Sequence, residues 1–284
     1  MQRIFSKWPG WIITLLIFLL MGCAGNRSTD AGAQSQEITV FAASSLTDAF
    51  QALRETFEAR NPDTRVILHF AGSSQLAAQL REGIPADVFA SANSMQMQAV
   101  VDEGRVKAGT DKLFVSNQLA VIMPADNPSG IMTLVDLTKS GIQMVLASPN
   151  VPVRTYTDEF VAAMGKEFQT QFYNNLVSEE ENVRQIVAKV ALGEADVGVV
   201  YISDVTPDVV GRLQQLKIPD RQNVIATYPI APLADTAHPE LAQRFIDFTL
   251  STTGQDILFR WGFGPPPTQI GQHEGTFTAT LDTP

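Results

Sequence analysis

Cysteine is almost absent from this chain, Cys23 being the only one among 284 residues. No disulfide and no multi-cysteine metal centre can therefore form within one copy. Histidine is nearly as scarce: His69, His238 and His273 fall in a strand-like run, a turn beside a proline and a C-terminal tail, which is not metal-ligand spacing. Basic residues are outnumbered, 20 Lys and Arg against 30 Asp and Glu for a net charge of −10, which disfavours nucleic acid and anionic membrane surfaces as partners. A G-x-S-x-G nucleophile elbow is missing too. "AGSSQ" has only one of its glycines, so a serine hydrolase with His69 or His238 as base is a remote alternative. The longest apolar run, Trp11 to Met21, falls short of the ~20 residues a membrane span needs.

That run is informative in another way. Arg3 and Lys7 precede it and it closes in Leu20, Met21, Gly22, Cys23, so residues 1–22 read as a signal peptide whose end resembles the bacterial lipoprotein cleavage box. Cys23 is then expected to carry the lipid that anchors the chain outside the cytoplasm. Residues 23–36, small and polar, read as a flexible tether. Losing Arg3 and Lys7 takes the mature net charge to about −12, which makes an anionic ligand surprising. Local backbone dipoles and hydroxyls could still hold one, because they act at contact range while the acidic surface is screened within about 8 Å. The roughly 260 remaining residues suffice for one large domain or two lobes.

The stretch "ITVFAASSLTDAF" runs from an apolar strand (Ile38 to Ala43) into a helix face (Leu46, Phe50, Leu53, Phe57), with Ser44 and Ser45 at the joint. Either these serines only cap the helix, or they add hydroxyl donors to an anion site at its start. The pattern recurs: "RVILHF" is a strand, and "AGSSQLAAQL" after it begins a helix with Leu76 and Leu80 on one face. Further strands are expected at Ala86 to Ala92, Leu119 to Pro124, Ile142 to Pro149 and Asp196 to Tyr201. Helix faces are expected from Phe160, Val161, Met164 and Phe168, from Val183, Ile186, Val187 and Val190, and from two C-terminal segments that could cover the first sheet. Such alternation implies an α/β fold with parallel sheets, where ligands bind beyond the carboxyl ends of the strands. Both serine pairs lie at that end. Pro229 and Pro232 interrupt an extended segment, which suits an edge strand or a crossover. Residues 264–284 read as a proline-rich tail with little to anchor it. Asp87 and Asp196, ahead of buried strands, read as turn partners rather than ligands.

Six segments in order, "ITVFAASSLTDAF", "FAGSSQLAAQL", "GIPADVFASAN", "SPNVPV", "NVRQIVAKVALGEADVGVVY" and "FRWGF", resemble the periplasmic molybdate-binding protein of the molybdate ABC importer. The resemblance implies a bilobal periplasmic-binding-protein-like fold (type II), two α/β lobes joined by two crossovers, with lobe one at 37–117 plus 228–284 and lobe two at 118–227. It also implies an oxyanion site: Ser45 and Ser73 as hydroxyl and backbone donors, Val153 and Val183 as backbone N–H donors, and Tyr201 as a phenol donor. Molybdenum would be bound only as molybdate, with tungstate equivalent, and no cofactor is expected. The implied partners are an ABC permease and ATPase, served by a monomer. Two further positions stay open. Ser44 and Ser74 are either caps or supporting donors. Arg154 stands where relatives usually place glycine, so it either points to solvent with Asp158 as its helical ion-pair partner or reaches the anion.

A cage of pure donors suits a fully ionised tetrahedral oxyanion, which has no proton to give; a protonated phosphate would want an acceptor. Five to seven hydrogen bonds to a charged ion, at roughly 1.5–3 kcal/mol each, could exceed the cost of dehydrating it. Sulfate, thiosulfate or phosphate remain alternatives within the same class. Ferric ion is disfavoured because the four tyrosines, Tyr156, Tyr173, Tyr201 and Tyr228, are not adjacent in sequence and matching carboxylates are lacking. A sensory lobe of a larger receptor is disfavoured by the lack of a second membrane segment.

Overall fold

A computed structural model of the chain describes residues 36–267. The expected signal peptide, Cys23, His273, most of the tether and the end of the tail lie outside the described residues, whereas Gln36, expected to end the tether, already opens the first strand.

The first half of the fold is built on β1 (Gln36–Ala43), which pairs in parallel with β2 (Thr64–Ala71) on one side and β3 (Val88–Ala90) on the other. Helices α1 (Thr47–Arg60), α2 (Ser73–Arg81) and α3 (Ser94–Asp102) follow these strands in turn. In α1, Ala49, Phe50, Leu53 and Phe57 are buried, the three- and four-residue spacing of a single helical face. Burying each of the larger ones contributes about 1.5–3 kcal/mol. Phe50 and Phe57 meet Phe245 of α7 (Pro239–Leu250) edge-on, with ring centroids 6.2 and 5.3 Å apart. The C-terminal helices α7 and α8 (Thr252–Arg260) thus cover this half, as their apolar spacing leads one to expect.

The second half contains β5 (Met144–Ala147), parallel to β6 (Leu176–Glu180) and β7 (Val197–Tyr201), with helices α4 (Pro152–Ala163), α5 (Lys166–Asn174) and α6 (Val183–Ala191) between the strands. Strand β4 (Lys112–Pro124) joins the halves. Its first part, to Gln118, pairs with β9 (Ile225–Pro232), and from Leu119 onward it pairs with β7 and β8 (Leu213–Lys217). At this switch the Asn223 side chain accepts from Leu119 N–H (3.0 Å) and donates to its carbonyl (2.9 Å). The sheet order is β2-β1-β3-β9-β4-β7-β5-β6, with β8 added on β4.

Several expectations need correction. The sheet is mixed rather than parallel: β9 runs antiparallel to β3 and β4, and β4 antiparallel to β7 and β8. Adjacent strands that carry the chain out of one half and back to it must run in opposite directions. Strand β9 is not an edge. It lies between β3 and β4, and Pro229, which has no N–H to give, faces Leu113 where the ladder shifts register before Val115. The single helix face expected from Phe160 to Phe168 is two helices, because Gly165 takes φ = 99°, a left-handed conformation that ends α4 and starts α5. Phe160 and Phe168 still pack together, 6.3 Å between rings. The tail is anchored at its start: Gly264 exchanges backbone hydrogen bonds with Ser116, whose hydroxyl donates to the Pro265 carbonyl. Asp87 and Asp196 accept from the N–H groups of Thr39, within β1, and Gln143, just ahead of β5, each at 2.7 Å.

Candidate functional site

The carboxyl end of β1 enters a 3₁₀ turn at Ser44–Leu46, and that of β2 runs through Gly72 into α2. From the other half, Pro152 and Val183 open α4 and α6, and Tyr201 ends β7. These chain ends converge on a narrow cleft, with a free volume of about 10 Å³, lined by Ala43, Ser44, Ser45, Gly72, Ser73, Ala92, Val151, Pro152, Val153, Val183 and Tyr201. Ser45, Ser73, Val153, Val183 and Tyr201 therefore share one lining, and Ser44 lies among them. Ser74 and Arg154 do not. Among the described residues no charged side chain lines the cleft.

Local capping chemistry determines which donors face it. The first N–H groups of a helix have no intrahelical acceptor. In α6 the Asn182 side chain takes the N–H groups of Arg184 and Gln185, at 3.0 and 3.2 Å, but not that of Val183, which is among the lining residues. In α4 the first position is Pro152, which has no N–H, so the first donor of the helix is Val153. In α2, Gln75 reaches back to the Gly72 N–H at 3.2 Å, and Ser73 follows. Neither Ser45 nor Ser73 caps a helix with its side chain. Ser73 Oγ instead accepts from Ala92 N–H (3.0 Å), and Ser45 Oγ shares a 3.0 Å hydrogen bond with the Tyr228 hydroxyl. The helix starts add partial positive charge at the cleft.

Tyr201 is buried, and among the described residues its hydroxyl has no hydrogen-bond partner. Burial, with the neighbouring Tyr228, Tyr156 and Asp204, pushes its pKa well above the ordinary tyrosine value, so the phenol keeps its proton. Asp204, also fully buried, accepts from Tyr201 N–H at 2.9 Å and has its pKa raised to about 6, chiefly by burial, against the pull of Arg184 4.0 Å away.

Arg154 takes neither expected course. Its side chain is only 11% exposed; its guanidinium donates to Asp158 (2.7 Å), Glu179 (2.6 Å) and the Ala147 carbonyl (3.0 Å) and lies over the Tyr173 ring. The Asp158 ion pair forms as the i,i+4 spacing suggests, but the side chain is tucked against β5 and β6 rather than sent to solvent. The tyrosines also need correction: Tyr156, Tyr201 and Tyr228, distant in sequence, are neighbours in space, with ring centroids 6.4 and 5.8 Å apart. Among the described residues no group of His, Cys, Asp and Glu could hold a metal ion.

The halves also touch directly across the cleft. Arg184 of α6 donates to Asp48 of α1 (2.5 Å) and to the Ser44 carbonyl (3.2 Å); Gln75 donates to Glu181 (2.7 Å) and Gln96 to the Asn150 carbonyl (3.1 Å). A Cβ at Gly72 would overlap the Glu181 carbonyl oxygen. Sequence reasoning missed these residues, although N-x-x-Q at Asn182 to Gln185 is a readable capping signal.

Two α/β halves joined through a shared central strand, with a donor-lined cleft between them, define a type II periplasmic binding protein. The profile of the bacterial extracellular solute-binding protein family matches residues 38–264, and the chain belongs to that family. The molybdate-binding protein ModA of Mycobacterium tuberculosis is 37% identical over 261 residues, covering 90% of this chain and 97% of the relative. Among solved structures, the periplasmic molybdate-binding protein of Azotobacter vinelandii superposes with a TM-score of 0.70 at 18% identity, covering 81% of this chain and 99% of that one. The sulfate-binding protein SubI of Mycobacterium tuberculosis superposes at 0.72 with 20% identity, covering 81% and 87%.

Proposed function

We propose that this chain is an extracytoplasmic solute-binding protein that captures molybdate, or tungstate, and hands it to the permease and ATPase of an ABC importer, with a lipid on Cys23 anchoring it to the cell membrane. It works by binding and release, not by catalysis. The observation that carries this reading is that Ser45, Ser73, Val153, Val183 and Tyr201 line one cleft with hydroxyls and helix starts and, among the described residues, no carboxylate. Such a lining offers protons and no strong acceptor, which matches a bare tetrahedral dianion. The ModA relative supports the choice of ion. In the closed cleft the ion would receive hydroxyl protons from Ser45, Ser73 and Tyr201 and backbone N–H groups from Val153 and Val183, drawn from both halves, so binding and closure stabilise each other.

Calorimetry of the mature protein with molybdate, tungstate, sulfate and phosphate in turn tests the reading. Molybdate and tungstate are expected to bind at micromolar Kd or tighter, with sulfate and phosphate at least tenfold weaker. Preference for sulfate would make the chain a sulfate binder on the same cleft, and no binding of any oxyanion would end the proposal.

A further inference from the structure

Ser45 Oγ can donate its proton into the cleft only if its bond to Tyr228 is made the other way round, with Tyr228 giving the proton. The distance between the two oxygens, 3.0 Å, does not fix that direction, but the surroundings do. Asn117 Oδ1 accepts from the Gln118 N–H at 2.9 Å, which fixes the amide with Nδ2 on the far side. That Nδ2 donates to Ser203 Oγ at 2.8 Å and to Tyr228 Oη at 3.4 Å. With its oxygen receiving a proton from Asn117, the phenol has its own O–H to give, and Ser45 Oγ at 3.0 Å is the acceptor within hydrogen-bond distance. Asn117 and Tyr228 are both buried and sit on β4 and β9, the paired strands at the junction of the halves.

We propose that Tyr228 is the positioning residue that makes Ser45 an obligate proton donor, through the ordered relay Asn117 N–H to Tyr228 O–H to Ser45 O–H to ligand. The backbone does the same for the other serine, since Ala92 N–H occupies Ser73 Oγ from behind. Each hydroxyl thereby keeps its own proton for the cleft, with one of its two lone pairs occupied from behind. Burial holds the Tyr228 pKa well above its ordinary value, so the relay keeps its proton across physiological pH. The consequence is specificity: an ion that must itself donate a proton meets serines oriented as donors, each with one of its two lone pairs already taken. The inference rests on the oxyanion reading of the cleft and adds to it a selectivity device outside the lining.

The test is Tyr228→Phe, which removes one oxygen and keeps the ring. Calorimetry near neutral pH would use molybdate and sulfate, both fully ionised, and inorganic phosphate, which still carries a proton. Molybdate and sulfate are expected to bind about tenfold more weakly, while phosphate is unchanged or tighter, because Ser45 is released to accept. On a Ser45→Ala background the same change should weaken molybdate less than twofold, since the relay ends at Ser45. An equal loss for all three ions, an undiminished effect on the Ser45→Ala background, or no effect at all would each overturn the relay. Circular dichroism and the thermal midpoint establish that the variants are folded. Wild-type protein that bound no oxyanion would overturn the functional reading, and the relay with it, before any variant was made.

Discussion

Replacing Tyr201 by phenylalanine should move stability and affinity in opposite directions. The hydroxyl is buried and has no hydrogen-bond partner among the described residues, while the ring packs against Tyr156 and Tyr228. A buried polar group left unpaired costs about 1–3 kcal/mol. The ligand-free fold carries that cost, and Tyr201→Phe removes it without altering the ring's packing. A gain of about 1 kcal/mol raises the thermal midpoint of a domain this size by roughly 2–4 °C. The bound state loses a hydrogen bond to a charged ion, about 1.5–3 kcal/mol, which is roughly 10- to 150-fold in Kd. Differential scanning fluorimetry without ligand reads the first effect and titration calorimetry with molybdate the second. A variant with a lower ligand-free midpoint and unchanged Kd would show that the hydroxyl serves packing, and the argument that it awaits an anion would fall.

Three other perturbations separate the cleft from its surroundings. Arg154→Gly should leave molybdate affinity within about twofold while lowering the thermal midpoint, because it breaks the contacts to Asp158, Glu179 and Ala147 and puts glycine in a helix at about 1 kcal/mol; a tenfold loss in calorimetry would mean that the guanidinium reaches the ion. Gly72→Ala fits its own backbone (φ −59°, ψ 138°) but places a methyl group against the Glu181 carbonyl, so scattering should show a less compact liganded form and calorimetry at least tenfold weaker binding; an unchanged Kd would show that the halves need not approach at this point. Asp204, with its pKa raised to about 6, binds more protons folded than unfolded, so its contribution is present at low pH and is lost as pH rises through 6. Between pH 5 and 7.5 the wild type should therefore lose about 1 kcal/mol relative to Asp204→Asn, and thermal midpoints that stay parallel across that range would show that the carboxylate is not desolvated as the fold suggests.

The sequence displays β1, α1, β2 and α2 clearly because each carries one uninterrupted signal: buried apolar runs for the strands and a three- and four-residue spacing for the helices. Strands β6 (Leu176–Glu180) and β8 (Leu213–Lys217) are illegible for the opposite reason. Their residues are largely polar and half exposed, and what makes them strands is an available partner, β5 for the one and β4 for the other. The first part of β4 is hidden likewise, since Ser116 and Asn117 look like loop residues until their partners, the Pro265 carbonyl and the buried Tyr228, are known. Ser45 and Ser73 could be offered as anion donors from their place between a strand and a helix, whereas Val153, Val183 and Tyr201 could be named only through family resemblance. Nothing in Val153 or Val183 marks a backbone donor, and both side chains are buried apolar groups. Tyr228 could not be found that way, because its role depends on a hydrogen bond across 183 residues of sequence.

The acidity of the chain and the anionic ligand proposed for it are compatible because the cleft contains dipoles rather than charges. Arg184 is the cation that approaches it, and its guanidinium is committed to Asp48 across the cleft and to the Ser44 carbonyl, with Asp204 at 4.0 Å. Two carboxylates beside one guanidinium leave no surplus positive charge for a ligand. An uncompensated arginine in the cleft would hold any anion, protonated or not, and would favour strong binding over discrimination. N–H and O–H groups impose geometry as well as sign, since each must find a lone pair at hydrogen-bond distance. The arginine is thus free to act between the two halves, where pairing with Asp48 favours closure, while selection of the ion falls to serines whose proton direction is set from behind.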